Sequence, residues 1–408
     1  MPDRSVDFLI VGGGSAGFSA ARTLREEGAT GSVLVVSRDP DPPYDRTAVS
    51  KTYLGGEKSR EEVLLGGPGW FEDNDVELLT RTSAMSLDTA AHEVTLSNKE
   101  TVGYGKLLLA TGANIRRLRI EGCDLAGIHY LRMLGNADKI RADTENAAHV
   151  VLVGGSYIAT EVAATLTALG RRCALVMQED VVLERTFGKQ AGGFFQKALT
   201  DHGVEIHGGE DVERFEGADG RVSAVVTARG TRLPADAVII GVGVTPDVSL
   251  AQKAGLEIGP RGGVVTDATL AASAPDVYAA GDMAEYESVV HGGARLRIEH
   301  WDVAEQQGKT AARAMLGRPQ PHDVVPYFFS DLADWTWMEY VGPAYEWDEE
   351  IVRGSIDDGE FTIWYVNGGR LAGALSVNRS DDLEEARRLI ASGEPVDKEA
   401  LARVGDAA

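Results

Sequence analysis

Phe8-Leu9-Ile10-Val11-Gly12-Gly13-Gly14-Ser15-Ala16-Gly17, near the start of the 408-residue chain, decides the fold. An apolar strand runs into a glycine-rich turn, and a helix-like stretch from Phe18 to Glu26 follows. Read as G-x-G-x-x-G, the glycines are Gly12, Gly14 and Gly17. The first permits a tight turn, the second lets a pyrophosphate approach the backbone, and the third lets the helix pack on the strand. The helix N-terminus then offers free N–H groups and a positive dipole end to phosphate. An acidic residue that would read ribose hydroxyls is missing near Ser37. Arg38 and Asp39 follow it, and either could face the adenosine half.

A second, altered copy begins at Gly154: Gly154-x-Ser156-x-x-Ala159, after the apolar run Val150 to Val153. Ser156 is small enough for near approach, though its hydroxyl takes room, and alanine is a known third residue. The position near Met177 is not acidic, but Glu179 could accept ribose hydroxyls, which favours NADH over NADPH. Two such units imply two nucleotides and electron transfer between them.

Composition narrows the class. Domains hold roughly 100–200 residues, so two or three are expected. The formal net charge of −23 disfavours nucleic acid and anionic membranes as partners. No apolar run reaches the roughly 18 residues of a membrane span, and no secretory leader is evident. Cys123 and Cys173 form no C-x-x-C pair, and together these features suggest a cytoplasmic protein with reduced thiols. The eight histidines show no metal-ligand spacing, so no metal site is expected.

Past the first β-α-β unit, strands are expected at Glu93 to Leu96, Lys106 to Leu109, Cys173 to Met177, Gly203 to Val212, Arg221 to Arg229 and Val238 to Pro246. The texture changes near Pro321. From Tyr327 to Val377 the pattern reads as antiparallel strands with a hairpin at Asn367-Gly368-Gly369, then a helix from Asp381 capped by Ser380.

Pro43-Tyr44-Asp45-Arg46-Thr47-Ala48-Val49-Ser50-Lys51 narrows the reading further. This stretch resembles the P-Y-x-R-x-x-L-S-K pattern of the ferredoxin-reductase and apoptosis-inducing-factor group of FAD-dependent pyridine-nucleotide oxidoreductases, with Val49 replacing Leu. The resemblance continues through Ala110-Thr111-Gly112, Leu131-Arg132, Gly243-Val244-Thr245-Pro246, Gly281-Asp282, Glu299-His300-Trp301 and Phe329-Ser330-Asp331. It implies an α/β fold with two Rossmann-like dinucleotide-binding domains, glutathione-reductase-like, plus a C-terminal α+β domain. The implied division is 1–114 and 245–322 for FAD, 115–244 for NAD(P), and 323–408 for the last domain.

The resemblance also implies residue roles. Arg46 and Arg132 would lie along FAD, and Asp282 would bond the ribityl chain. Lys51 would reach flavin N5 and pair with Glu161. Glu299 and His300 would border the nicotinamide, with Trp301 and Phe329 against the ring system. Ala16, Ser37, Arg38, Ala84, Ala110, Thr111, Gly112 and Gly281 would complete the FAD side. Gly154, Ser156, Tyr157, Ile158, Glu179 and Gly243 would complete the NAD side.

With no thiol pair, electrons must leave the flavin directly, and a ferredoxin or rubredoxin is the expected acceptor. The chain is itself acidic, so an acidic partner needs a local basic face. Arg116, Arg117 and Arg119, or Arg387 and Arg388, are candidates. A small acceptor such as a quinone, monodehydroascorbate or oxygen is an alternative, as is a redox-responsive binding protein. Monomer and homodimer both stay open.

Overall fold

A computed structural model describes residues 1–403. The opening strand, Arg4–Val11, is flanked in parallel by Val33–Val36 and Thr101–Leu109. Val76–Leu79 extends one side in parallel, and Val277–Ala279 joins Thr101–Leu109 from much later in the chain. Ala84–Asp88 and Glu93–Leu96 add an antiparallel edge. The central strands are buried on both faces, as their unbroken apolar runs require.

A second sheet repeats the plan. Its order is Glu205–His207, Arg172–Val176, His149–Val153, Ala237–Ile240 and Ile128–Tyr130, all parallel. A meander of Val212–Ala218, Arg221–Thr227 and Arg232–Pro234 lies beside it. The expected strand from Gly203 to Val212 is therefore two strands, because the chain turns at Gly208 and Gly209. The expected run from Val238 to Pro246 also divides: Val244–Pro246 leaves the sheet and pairs antiparallel with Ala113–Ile115. That two-stranded ribbon joins the two nucleotide halves.

The C-terminal sheet is wholly antiparallel, in the order Tyr327–Leu332, Thr336–Val341, Arg370–Val377, Glu360–Asn367, Glu349–Ser355. Its closing helix is Asp382–Ser392. Ser380 does not cap it; the hydroxyl instead donates to Glu339 on the sheet. Three helices, Leu134–Thr144, Glu184–Asp201 and Trp301–Met315, escape the sequence pattern. The last packs along Ser15–Glu26, where Ser19 Oγ donates to Glu305 O at 2.8 Å.

Candidate functional site

The two glycine turns are built alike. Gly12 has φ +127°, and a Cβ there would stand 2.0 Å from Ala110 O; its N–H donates to Val36 O. Gly154 has φ +116°, a Cβ would stand 2.2 Å from Gly241 O, and its N–H donates to Val176 O. No side chain fits either place. The residue before each helix is in extended backbone, Gly14 at φ −87°, ψ −169° and Ser156 at φ −100°, ψ −173°. Serine adopts that conformation freely, so the second turn survives the exchange.

Both turns lead to one cavity of about 550 Å³. Gly12, Gly14, Ala16, Ser37, Arg38, Arg46, Lys51, Ala84, Ala110, Thr111 and Gly112 line it from the first unit, joined by Arg132, Gly281 and Asp282 from further along the chain. Ser156, Tyr157, Ile158, Glu161 and Gly243 line it from the second, with Glu299, His300, Trp301 and Phe329 from the later chain. Gly17, Gly154 and Glu179 do not reach the lining. Gly17 is held against Gly12 O, and Gly154 shapes its turn from behind. Glu179 turns toward Arg185 and pairs with it.

Asp39 borders the cavity, but its carboxylate accepts from Tyr44 Oη at 2.9 Å and from the Asp41 amide at 3.2 Å. Arg38 reaches out to Asp247 Oδ2 at 2.9 Å and Asn114 Oδ1 at 2.7 Å. Of the two alternatives at this strand end, Arg38 is the side chain held across the cavity rim. Arg46 donates to Arg132 O at 3.1 Å, and Arg132 faces Asp282 at 3.4 Å. Burial and the neighbouring Arg46 guanidinium lower the pKa of Arg132, with Asp282 opposing them.

Glu161 pairs with Lys51 at 3.4 Å, as expected. A second carboxylate, Asp331, is closer, 3.0 Å from Nζ. Sequence reasoning named Asp331 only as part of a motif. Lys51 also lies 5.2 Å from the centre of the Phe329 ring, within cation–π range. His300 packs its ring 4.7 Å from Phe328, and its buried Nδ1 has no hydrogen-bond partner. Burial pushes its pKa down to about 4, so the ring is neutral at neutral pH.

These features fit two nucleotides. Open space faces the Gly14 Cα, two helix N-termini and the guanidinium groups of Arg38, Arg46, Arg116 and Arg132 border the cavity, and His300 Nδ1 is an orphaned polar atom in its wall. Among the described residues no group of three or more His, Cys, Asp and Glu side chains is placed to hold a metal ion. No described helix is long and apolar enough to cross a membrane.

Fold and site together define an oxidoreductase built around two dinucleotides. Pyridine nucleotide-disulphide oxidoreductase is the description of the family that matches residues 6–308, and the reductase C-terminal family matches 327–406. The chain belongs to the pyridine nucleotide-disulphide oxidoreductase family. It is 36% identical over 397 residues to the ferredoxin reductase subunit of a 5,5'-dehydrodivanillate O-demethylase from Sphingobium sp., covering 97% of this chain and 96% of that one. A ferredoxin reductase structure from Rhodopseudomonas palustris superposes with TM-score 0.92 at 30% identity, covering 98% of both chains. The covalent complex of putidaredoxin reductase with putidaredoxin matches with TM-score 0.92 at 31% identity, covering 98% of this chain and 96% of that one.

Proposed function

We propose that this protein is an FAD-dependent NAD(P)H oxidoreductase that takes a hydride from NADH and passes single electrons to a ferredoxin or rubredoxin. One observation carries the reading: two helix N-termini of matching build, at Gly14 and Ser156, border one cavity together with the Lys51 ammonium. Bound FAD would supply the conversion from a hydride to electrons released one at a time. Gly12, Gly14, Arg46, Arg132 and Asp282 would hold FAD, and Ser156, Tyr157 and Ile158 the nicotinamide nucleotide. Lys51 offers a fixed positive charge that favours an electron-rich partner in the cavity. Glu161 and Asp331 hold that charge in place.

Disulfide chemistry is not supported. Cys123 and Cys173 are both free, and neither lines the cavity. Burial pushes the Cys173 thiol up to about 11, which makes it inert. A one-electron protein acceptor is the remaining natural outlet. Residues 1–114 with 245–322, 115–244 and 323–408 serve as the three working units in this reading. The free thiols suit a reducing compartment, and the cytoplasm is the location we assign.

The test is an anaerobic titration of the yellow holoprotein with NADH and then NADPH, followed by cytochrome c reduction with and without a [2Fe–2S] ferredoxin. Flavin bleaching by NADH and a rate gain with ferredoxin are expected. Absence of gain at every ionic strength, with quinone reduced as fast, would overturn the proposed acceptor.

A further inference from the structure

Glu161 is 7% exposed, yet it is a carboxylate facing a cavity that has one ammonium in reach of it. Isolated burial of that charge would be costly. Two hydroxyls offset the cost. Ser50 Oγ donates to Oε2 at 2.5 Å, and Ser330 Oγ donates to Oε1 at 2.5 Å. Both serines are buried, at 2% and 1% exposure. Each oxygen of Glu161 therefore has its own short, charge-assisted donor.

The three residues come from different parts of the molecule. Ser50 ends the Arg46–Ser50 turn, Glu161 lies on the Tyr157–Ala168 helix, and Ser330 lies on the Tyr327–Leu332 strand. Thr165 Oγ1, one helical turn beyond Glu161, also donates to Ser50 O at 2.9 Å. Lys51 and Asp331 are the chain neighbours of the two serines, and they form the 3.0 Å ion pair.

We propose that Ser50 and Ser330 are positioning residues: by satisfying both oxygens of Glu161 they leave the Lys51 ammonium shared between Glu161 and Asp331 and facing the cavity. The inference rests on the reading of Lys51 as the cation that faces the flavin. Without the two hydroxyls, Glu161 has only Lys51 to offset its charge. The ammonium is then drawn onto Glu161 and away from Asp331 and the bound cofactor. Ser330 does not line the cavity, and Ser50, which borders it, commits its hydroxyl to Glu161, so both serines act through Glu161 and Lys51.

The experiment compares the holoprotein with Ser50→Ala/Ser330→Ala, Ser330→Cys, Ser330→Thr and Lys51→Ala. Three quantities are read: the rapid-mixing rate of flavin bleaching by NADH, the NADH dissociation constant, and the flavin midpoint potential from a dye-coupled titration. The double alanine variant should bleach about tenfold more slowly, with a lower midpoint potential and an unchanged dissociation constant. Ser330→Cys keeps the shape but is a weak donor, so it should fall on the alanine side. Ser330→Thr keeps the hydroxyl and should fall on the parent side. Should the double variant lose FAD, the single alanine variants carry the test, each at about threefold.

A double variant within twofold of the parent, at unchanged potential, overturns the proposal when Lys51→Ala is slow. If Lys51→Ala is also unchanged, the reading of Lys51 itself fails and takes the proposal with it.

Discussion

Asp331 Oδ2 lies 3.0 Å from Lys51 Nζ, nearer than Glu161 at 3.4 Å, so the cation in the cavity wall is held by two carboxylates from different halves of the chain. Glu161 is buried and fixed, whereas the Asp331 side chain is about a third exposed, at 36%. The two partners differ accordingly. Glu161 sets where the ammonium sits, and Asp331 restrains it from the solvent side.

Lys51→Ala should slow flavin reduction by NADH by about 10–100-fold, since a preorganised charge contributes a few kcal/mol. FAD should stay bound, because on the proposed assignment Arg46, Arg132 and the Gly14 turn would serve its anionic half. Asp331→Asn should cost less, within about fivefold, because Glu161 remains. Rapid-mixing absorbance at the flavin band reads both. An unchanged rate in Lys51→Ala would remove this residue from hydride transfer.

Glu179 and Arg185 are expected to set the choice of dinucleotide. Glu179 stands past the Arg172–Val176 strand end but is paired with Arg185, which is itself largely exposed and donates to Gln178 Oε1 at 3.3 Å. Arg185→Ala should free Glu179 to accept ribose hydroxyls and sharpen preference for NADH. Glu179→Gln should release Arg185 toward a 2′-phosphate and improve the relative use of NADPH by about tenfold. The ratio of kcat/KM for the two nucleotides measures this. A ratio indifferent to both substitutions would place adenosine recognition elsewhere.

How much of this was legible depended on the range of the interaction. The Phe8–Gly17 stretch and the apolar run before Gly154 announced both nucleotide units, because turn, strand and helix start are fixed within a few residues. The Trp301–Met315 helix was not visible. Its buried face joins Val303, Gln307 and Met315 to Ala304, Gly308, Ala311 and Ala312, small residues that allow close packing on Ser15–Glu26 and whose partner helix lies 286 residues away in the chain. Asp331, Ser50 and Ser330 belonged to recognised motifs, yet the serines' roles depend on meeting Glu161 across 111 and 169 residues of chain, and that of Asp331 on meeting Lys51 across 280. Glu179 shows the converse: its position fitted a ribose ligand, and a partner on the next helix turned it aside.

Ser156 should prove close to neutral. Its backbone matches that of Gly14, its side chain makes no capping hydrogen bond, and it is exposed at the cavity wall. Ser156→Gly should therefore change KM for NADH by less than about threefold, since glycine caps nearly as well. Ser156→Leu puts a bulky chain at the helix N-terminus and should raise KM at least about tenfold. Steady-state kinetics with saturating acceptor separates the two. A large fall in KM for Ser156→Gly would show that the hydroxyl obstructs the pyrophosphate.

Acid sensitivity should come partly from buried neutral histidines. His322 is 2% exposed, and its Nδ1 lies 3.1 Å from Thr310 Oγ1. Burial pushes its pKa down to about 4, well below the ordinary histidine range near 6.5, with Asp323 opposing. Because the folded value is the lower one, the unfolded chain takes up the proton first as pH falls. Stability is thus unaffected by this group above about pH 6.5, declines between about 6.5 and 4, and levels off below that window. One such group removes about 2 kcal/mol between pH 7 and pH 5. His291 and His300 carry the same depressed value of about 4 and the same cause. Urea unfolding of the holoprotein at pH 7 and pH 5 should show the parent losing more stability than His322→Gln, by about that amount. The variant starts lower at pH 7 if the Thr310 contact is lost, but the difference between the two pH values is the quantity that decides. Equal losses in parent and variant would mean that His322 gains its proton in the folded protein as readily as in the unfolded chain.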